Sequence, residues 1–237
     1  MNTKLIILEG MDNTGKTTLI EMYNRIVSGL NPDIKVQVIH MEKPPQDAPE
    51  SEISDTEYPN AKASVRYNFD KVNEFQHNAY MSLPRKLLEI KQSNDAPDII
   101  ILDRAWLSEY VYGYIYRNRN QHDIIIDNII IEKQIMNIFG PENVFLVYLY
   151  PSYLGFIRKK EDGKSLAVLK AKETWPTDKD SQKRFIERRQ KEEFNRFEEA
   201  FNNMSIIKNK IPIQVNKGDT EYFDNSMVVQ MFDAIHN

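Results

Sequence analysis

From Glu9 to Thr18 the chain reads Glu-Gly-Met-Asp-Asn-Thr-Gly-Lys-Thr-Thr, and from Gly10 onward this fits G-x-x-x-x-G-K-[ST] at every fixed position. Residues of these types at this spacing hold phosphate. Gly10 and Gly15 let the backbone take positive φ and come close to an anion, so that successive N–H groups point at it. Met11, Asn13 and Thr14 complete the loop, Lys16 adds a point charge, and Thr17, with Thr18 beside it, offers a hydroxyl to Mg²⁺. The helix that should open at Lys16 presents its unpaired N–H groups and positive dipole end to the same phosphates. Asp12 is the unusual member. A carboxylate inside an anion-holding loop is costly unless it has a job, such as holding a sugar hydroxyl or a metal-bound water.

Other candidates lie where apolar runs stop. Asp98 to Leu102 (DIIIL) is a buried-strand pattern ending in Asp103-Arg104. There Asp103 is expected to organise the Mg²⁺ water shell and Arg104 to reach a transferred phosphate, against the plainer reading of an ion pair at a strand end. Ile34 to Met41 alternates as a strand and is followed by Glu42 and Lys43 before Pro44-Pro45. In open parallel sheets ligands bind beyond the carboxyl ends of strands, so these two residues stand where an acceptor could sit, or are simply solvated. Arg66, Gln76 and Arg85 are polar residues that could face a nucleotide, each competing with plain solvent exposure. Trp106 to Tyr116 is aromatic and expected to be helical, with Ser108 and Tyr112 near enough to the strand end to serve a site.

These groups need elements to position them. Leu5 to Leu8, Ile34 to Met41, Asp98 to Leu102, Val144 to Tyr150 and Ile211 to Val215 read as strands, and helical patterns separate them. The helices are expected after Lys16, at Val72 to Gln92 with a kink at Pro84, at Asp123 to Phe139, at Glu187 to Asn203 and at Phe223 to Ile235. Residues 46–60 are acidic and rich in Pro and Ser, and are expected to form a mobile surface loop. Tyr153 to Arg189 is biased positive in a chain of net charge −4. It is read as a basic flap over phosphates that carries Arg158, Arg184 and Arg188. Asn216-Lys217-Gly218-Asp219 matches the guanine-reading N-K-x-D, but too little chain follows for a GTPase domain. Lys217 is therefore assigned to the adenine side of an ATP site.

Composition narrows the class. The 237 residues and 41% hydrophobic content allow a sizeable core and one domain over 1–237. The spread negative charge argues against a nucleic-acid or membrane-surface protein. Cys is absent, and His40, His77, His122 and His236 show no ligand spacing, so all four are read as structural or surface residues. No apolar run is long enough to span a bilayer and no leader is evident, so a soluble cytoplasmic protein is expected.

The phosphate loop resembles the thymidylate kinase form E-G-x-D-[GR]-[AS]-G-K-[ST]-T, departing at Asn13 and Thr14. Asp103-Arg104 with Ser108 and Tyr112 is similar to that family's D-R-x-x-x-S-x-x-x-Y. Glu42 and Pro44 resemble the E-P after strand two, with Lys43 inserted. Phe75-Gln76 resembles the F-Q of deoxynucleoside kinases, where Gln reads the base, and the helix arginine of thymidylate kinases is not evident. The resemblance implies an α/β P-loop three-layer sandwich: a five-stranded parallel sheet in order 2-3-1-4-5, helices on both faces and a helical lid. It also implies phosphoryl transfer from ATP with Mg²⁺ held by Thr17 and Asp103, with a lid arginine (Arg158, Arg184 or Arg188) stabilising the transition state. The expected acceptor is a deoxynucleoside monophosphate, dTMP first, contacted by Asp12, Glu42, Lys43, Arg66, Phe75, Gln76, Ser108 and Tyr112. Partners are small nucleotides, with a homodimer allowed. The alternative is a deoxynucleoside kinase, in which Glu42 would act as base towards a 5′-hydroxyl. A nucleotide-dependent switch and a polynucleotide kinase are further alternatives, the last opposed by the missing basic face.

Overall fold

The computed structural model describes residues 3–11, 14–41, 69–152, 178–215 and 225–236. The strands are β1 (Lys4–Gly10), β2 (Val36–His40), β3 (Ile99–Asp103), β4 (Val144–Pro151) and β5 (Asn209–Val215). They form one parallel sheet in the order β2-β3-β1-β4-β5, the order that the resemblance implies, with the strands where the apolar runs place them. Leu5 to Leu8, Ile100 to Leu102 and Val144 to Leu149 are almost wholly buried, as strands covered on both faces must be. At the two edges the pattern loosens to alternation. Pro212 is tolerated in β5 because that strand has a neighbour on one side only.

Helices cover both faces. On one, α1 (Lys16–Leu30) packs with α5 (Asn225–His236), and the Tyr23 hydroxyl lies 2.9 Å from His236 Nε2. On the other, α2 (Phe69–Lys91) packs on α3 (Gln121–Phe139), and α4 (Lys179–Glu199) packs on the segment after β3. Pro84 lies within α2. Buried Glu132 of α3 ties two chain segments to this layer, accepting from Trp106 Nε1 at 2.9 Å and from the Ile206 amide at 2.6 Å.

Three expectations need correction. The aromatic run is not one α-helix: Glu109–Gly113 is a π-helical turn that continues as a short α-helix, Tyr114–Arg117. Such a turn re-aims side chains and is common beside functional sites. The helix placed at Glu187 begins at Lys179 instead, capped by the Asp178 carboxylate, which accepts from the Ser181 amide at 2.8 Å. The last part of the expected flap is thus the opening of α4. Gln76, expected to be solvent-exposed, is buried at 9% exposure. Arg85 is the solvated one, paired with Glu89 one turn away.

No helix among the described residues is long and apolar enough to cross a membrane. The acidic loop at 46–60 and residues 153–177 of the basic segment lie outside the described residues.

Candidate phosphate-transfer site

The end of β1 makes the loop possible. Gly10 has φ 142°, and a Cβ there would come within 2.3 Å of the Leu149 carbonyl oxygen on the neighbouring strand. A side chain is excluded by backbone, not by a neighbour that could yield. Gly15, at φ 84°, is the left-handed residue from which α1 starts. Between them the Thr14 hydroxyl donates to the Met11 carbonyl at 2.9 Å and is buried with it.

Lys16 is folded into this loop. Its ammonium donates to the Gly10 carbonyl at 2.9 Å and to that of Met11 at 2.7 Å, and the residue is 5% exposed. Burial lowers its pKa to about 8, opposed by the negative charges of Asp103 and Glu9. A cation already stripped of water and held in the loop is prepared for an anion. Thr17 and Thr18 are exposed on the first turn of α1.

At the end of β3, Asp103 Oδ2 lies 3.0 Å from His40 Nδ1 at the end of β2, and its buried Oδ1 has no hydrogen-bond partner among the described residues. A buried carboxylate oxygen left over beside a phosphate loop fits a hydrated Mg²⁺ ion, which takes one or two carboxylates and completes its shell with water and phosphate. No cluster of three His, Cys, Asp or Glu residues that could hold a metal occurs among the described residues. Mg²⁺ beside phosphates does not require one. Arg104 takes positive φ, 67°, and its amide donates to the Leu8 carbonyl at 2.9 Å, so its side chain leaves the sheet over the Tyr112 ring, 5.6 Å from the ring centre.

Glu9, the last-but-one residue of β1, was not among the expected site residues. It is 1% exposed, accepting from the Ala105 amide at 2.9 Å and from the Ser108 hydroxyl at 2.7 Å. Burial pushes its carboxyl up to about 7 in spite of these bonds and of Arg104 and Lys16. It holds the turn that carries Asp103 and Arg104. Ser108 is therefore committed to Glu9 through its proton.

Deeper in the same layer, Glu109 pairs with Arg117 and, at 3.3 Å, with Arg119, which also pairs with Asp127. His77 Nδ1 lies 2.8 Å from Asp127. This network joins α2, α3 and the π-turn. Arg184 and Arg188 are exposed on α4, the first donating to Ser181 at 3.0 Å and the second lying over Phe185. The structure thus brings together Gly10, Met11, Thr14, Gly15, Lys16, Asp103, Arg104, Ser108 and Tyr112. Asp12, Asn13, Glu42, Lys43, Arg66, Arg158 and Lys217 lie outside the described residues.

No protein-family model matches the chain, and no curated protein matches its sequence. Solved structures do match. A thymidylate kinase from Candida albicans superposes with a TM-score of 0.50 at 17% identity, over 99% of this chain and 91% of that one. A thymidylate kinase from Ehrlichia chaffeensis matches at TM-score 0.47 and 13% identity, over 100% of both chains. The YorR protein of Bacillus subtilis, in complex with phosphorylated GDP, matches at 0.49 and 14%, over 98% of this chain and 95% of that one. The last two are too distant in shape to argue from. The first agrees with the sheet order in identifying the fold as that of the P-loop kinases.

Proposed function

We propose that this protein is a nucleotide kinase that moves the γ-phosphoryl group of ATP to a deoxynucleoside monophosphate, with dTMP the leading acceptor. The carrying observation is the buried Lys16 ammonium held in the loop by two carbonyls, close enough to Asp103 and Glu9 to feel both charges. Such a cation exchanges its carbonyl partners for β- and γ-phosphate oxygens, while the N–H groups opening α1 face the same anion. Asp103 and Thr17 are the residues that would hold Mg²⁺. That ion, when bound, neutralises charge that develops on the phosphates.

Arg104 stands at the next strand end, suited to a second phosphate. A monophosphate acceptor is largely ionised at neutral pH, its second pKa being about 6, so the attacking oxygen needs cations around it and no general base. The fold shared with a thymidylate kinase supports this reading. One observation favours a deoxynucleoside acceptor instead: Gln76 is buried on α2, where a base-reading amide is wanted. Assays with ATP and Mg²⁺ against dTMP, thymidine and the other deoxynucleosides and monophosphates test both. Turnover of dTMP exceeding that of thymidine by tenfold or more is expected. Robust turnover of thymidine with none of dTMP overturns the monophosphate reading.

Lys16 also links nucleotide binding to pH. An anion beside it raises its pKa from about 8, and a base whose pKa rises on binding takes up protons. At pH 8 the expected uptake is up to about half a proton per site, falling towards zero at pH 6 where Lys16 is already charged. Calorimetric titration with ATP in two buffers of different ionisation enthalpy measures this directly. A Lys16→Met variant should lose the linkage, and equal apparent enthalpies in both buffers at pH 8 would show that Lys16 is charged before binding.

A further inference from the structure

We propose that Glu193, on α4, is a positioning residue that holds the Arg104 side chain in place for the acceptor phosphate; the role of the acceptor rests on the function proposed above.

The geometry starts at Tyr112. Its ring meets Phe197 of α4 edge-on, with centres 5.7 Å apart, and Phe197 is 1% exposed. Glu193 lies one helical turn before Phe197 and so on the same face of α4. At 9% exposure it is turned into the protein, not towards solvent. The Arg104 guanidinium lies over the same Tyr112 ring, 5.6 Å from its centre. Burial pushes the Glu193 carboxyl up to about 8, and the positive charge of Arg104 opposes that rise.

Arg104 leaves the strand end from a left-handed backbone. Tyr112 gives it a flat surface, which a guanidinium accepts at many angles. A carboxyl group gives it direction, because its carbonyl oxygen accepts from the planar fork of donors, and both oxygens do so once it ionises. The opening turns of α4 carry Arg184 and Arg188. Glu193 therefore ties the helix that bears those arginines to the strand end that bears Arg104.

The test uses Glu193→Ala and the near-isosteric Glu193→Gln in the full chain, with thermal melts as a check on folding. Two readouts are taken: solvent exchange of the Arg104 side-chain Nε–H by ¹⁵N NMR, and steady-state kinetics with ATP and dTMP. In Glu193→Ala the Arg104 exchange rate and the acceptor KM should each rise by about tenfold, with the KM for ATP within about twofold of wild type. Glu193→Gln, which keeps the shape and one acceptor oxygen, should fall between. Unchanged Arg104 exchange in both variants overturns the inference, as does a parallel rise in both KM values, which marks a merely structural residue. If the wild-type protein phosphorylates no nucleotide, the proposed function falls and the exchange measurement alone decides the role of Glu193.

Discussion

Lys16→Ala lowers kcat by about a thousandfold or more at saturating ATP, with the melting temperature little changed. The size of the effect follows from where the ammonium sits. It is bonded to the Gly10 and Met11 carbonyls and shielded from water, so the cost of desolvating it is met in folding and not when phosphate arrives. In a site of low dielectric a fixed cation interacts strongly with charge moving towards the leaving oxygen, and no exposed lysine nearby can substitute. Folding should tolerate the loss, because removing the side chain also removes the cost of burying a charge. Lys16→Met, which keeps most of the volume, should be as inactive as the Ala variant. Activity of either within tenfold of wild type would remove the phosphate-loop assignment, whichever nucleotide is used.

The loop and the individual strands were legible in the sequence because both are local signals, while the strand order came from the family resemblance. Each central strand is an unbroken apolar run ended by Gly, Asp-Arg or Pro, and the glycine spacing of the loop is a statement about backbone angles at Gly10 and Gly15. Asp103 and Arg104 could be found for the same reason: they end a run, and strand ends are where such sheets bind ligands.

Glu9 was not legible as a working residue. Its partners, Ala105 and Ser108, lie 96 and 99 residues further along the chain, and only the pairing of β1 with β3 brings them to it. Glu109 was hidden differently, inside an aromatic run whose helical period gives no hint of the π-turn or of Arg117 and Arg119 folding back on it. His40 reads as a structural or surface residue and is exposed, and what the sequence hides is its place opposite Asp103 in the register of β2 with β3. The start of α4, by contrast, had a visible signal. Asp178 ahead of a long helical run is a standard N-cap, and the density of positive charge drew the reading away from it.

Asp103→Asn carries the second large effect, and it acts twice. The carboxylate has one oxygen turned to His40 and the other buried without a partner among the described residues. An amide must put its NH₂ group in one of those places, either opposing a cation or opposing the imidazole nitrogen whenever that is protonated. With the negative charge gone as well, the Mg²⁺ concentration for half-maximal activity should rise at least about tenfold and kcat should fall about a hundredfold or more, with little change in the KM for ATP. The second action is on Lys16. Asp103 is the largest of the influences that hold the Lys16 pKa up against burial, so its neutralisation lets that pKa fall further below about 8. More of the loop cation is then neutral at a given pH. The loss caused by Asp103→Asn should therefore be steeper at pH 8 than at pH 6.5, and a Lys16→Met, Asp103→Asn double variant should lose less than the product of the two single losses. Parallel pH profiles for wild type and Asp103→Asn would separate the two residues, and an unchanged Mg²⁺ titration would make Asp103 a structural partner of His40 alone.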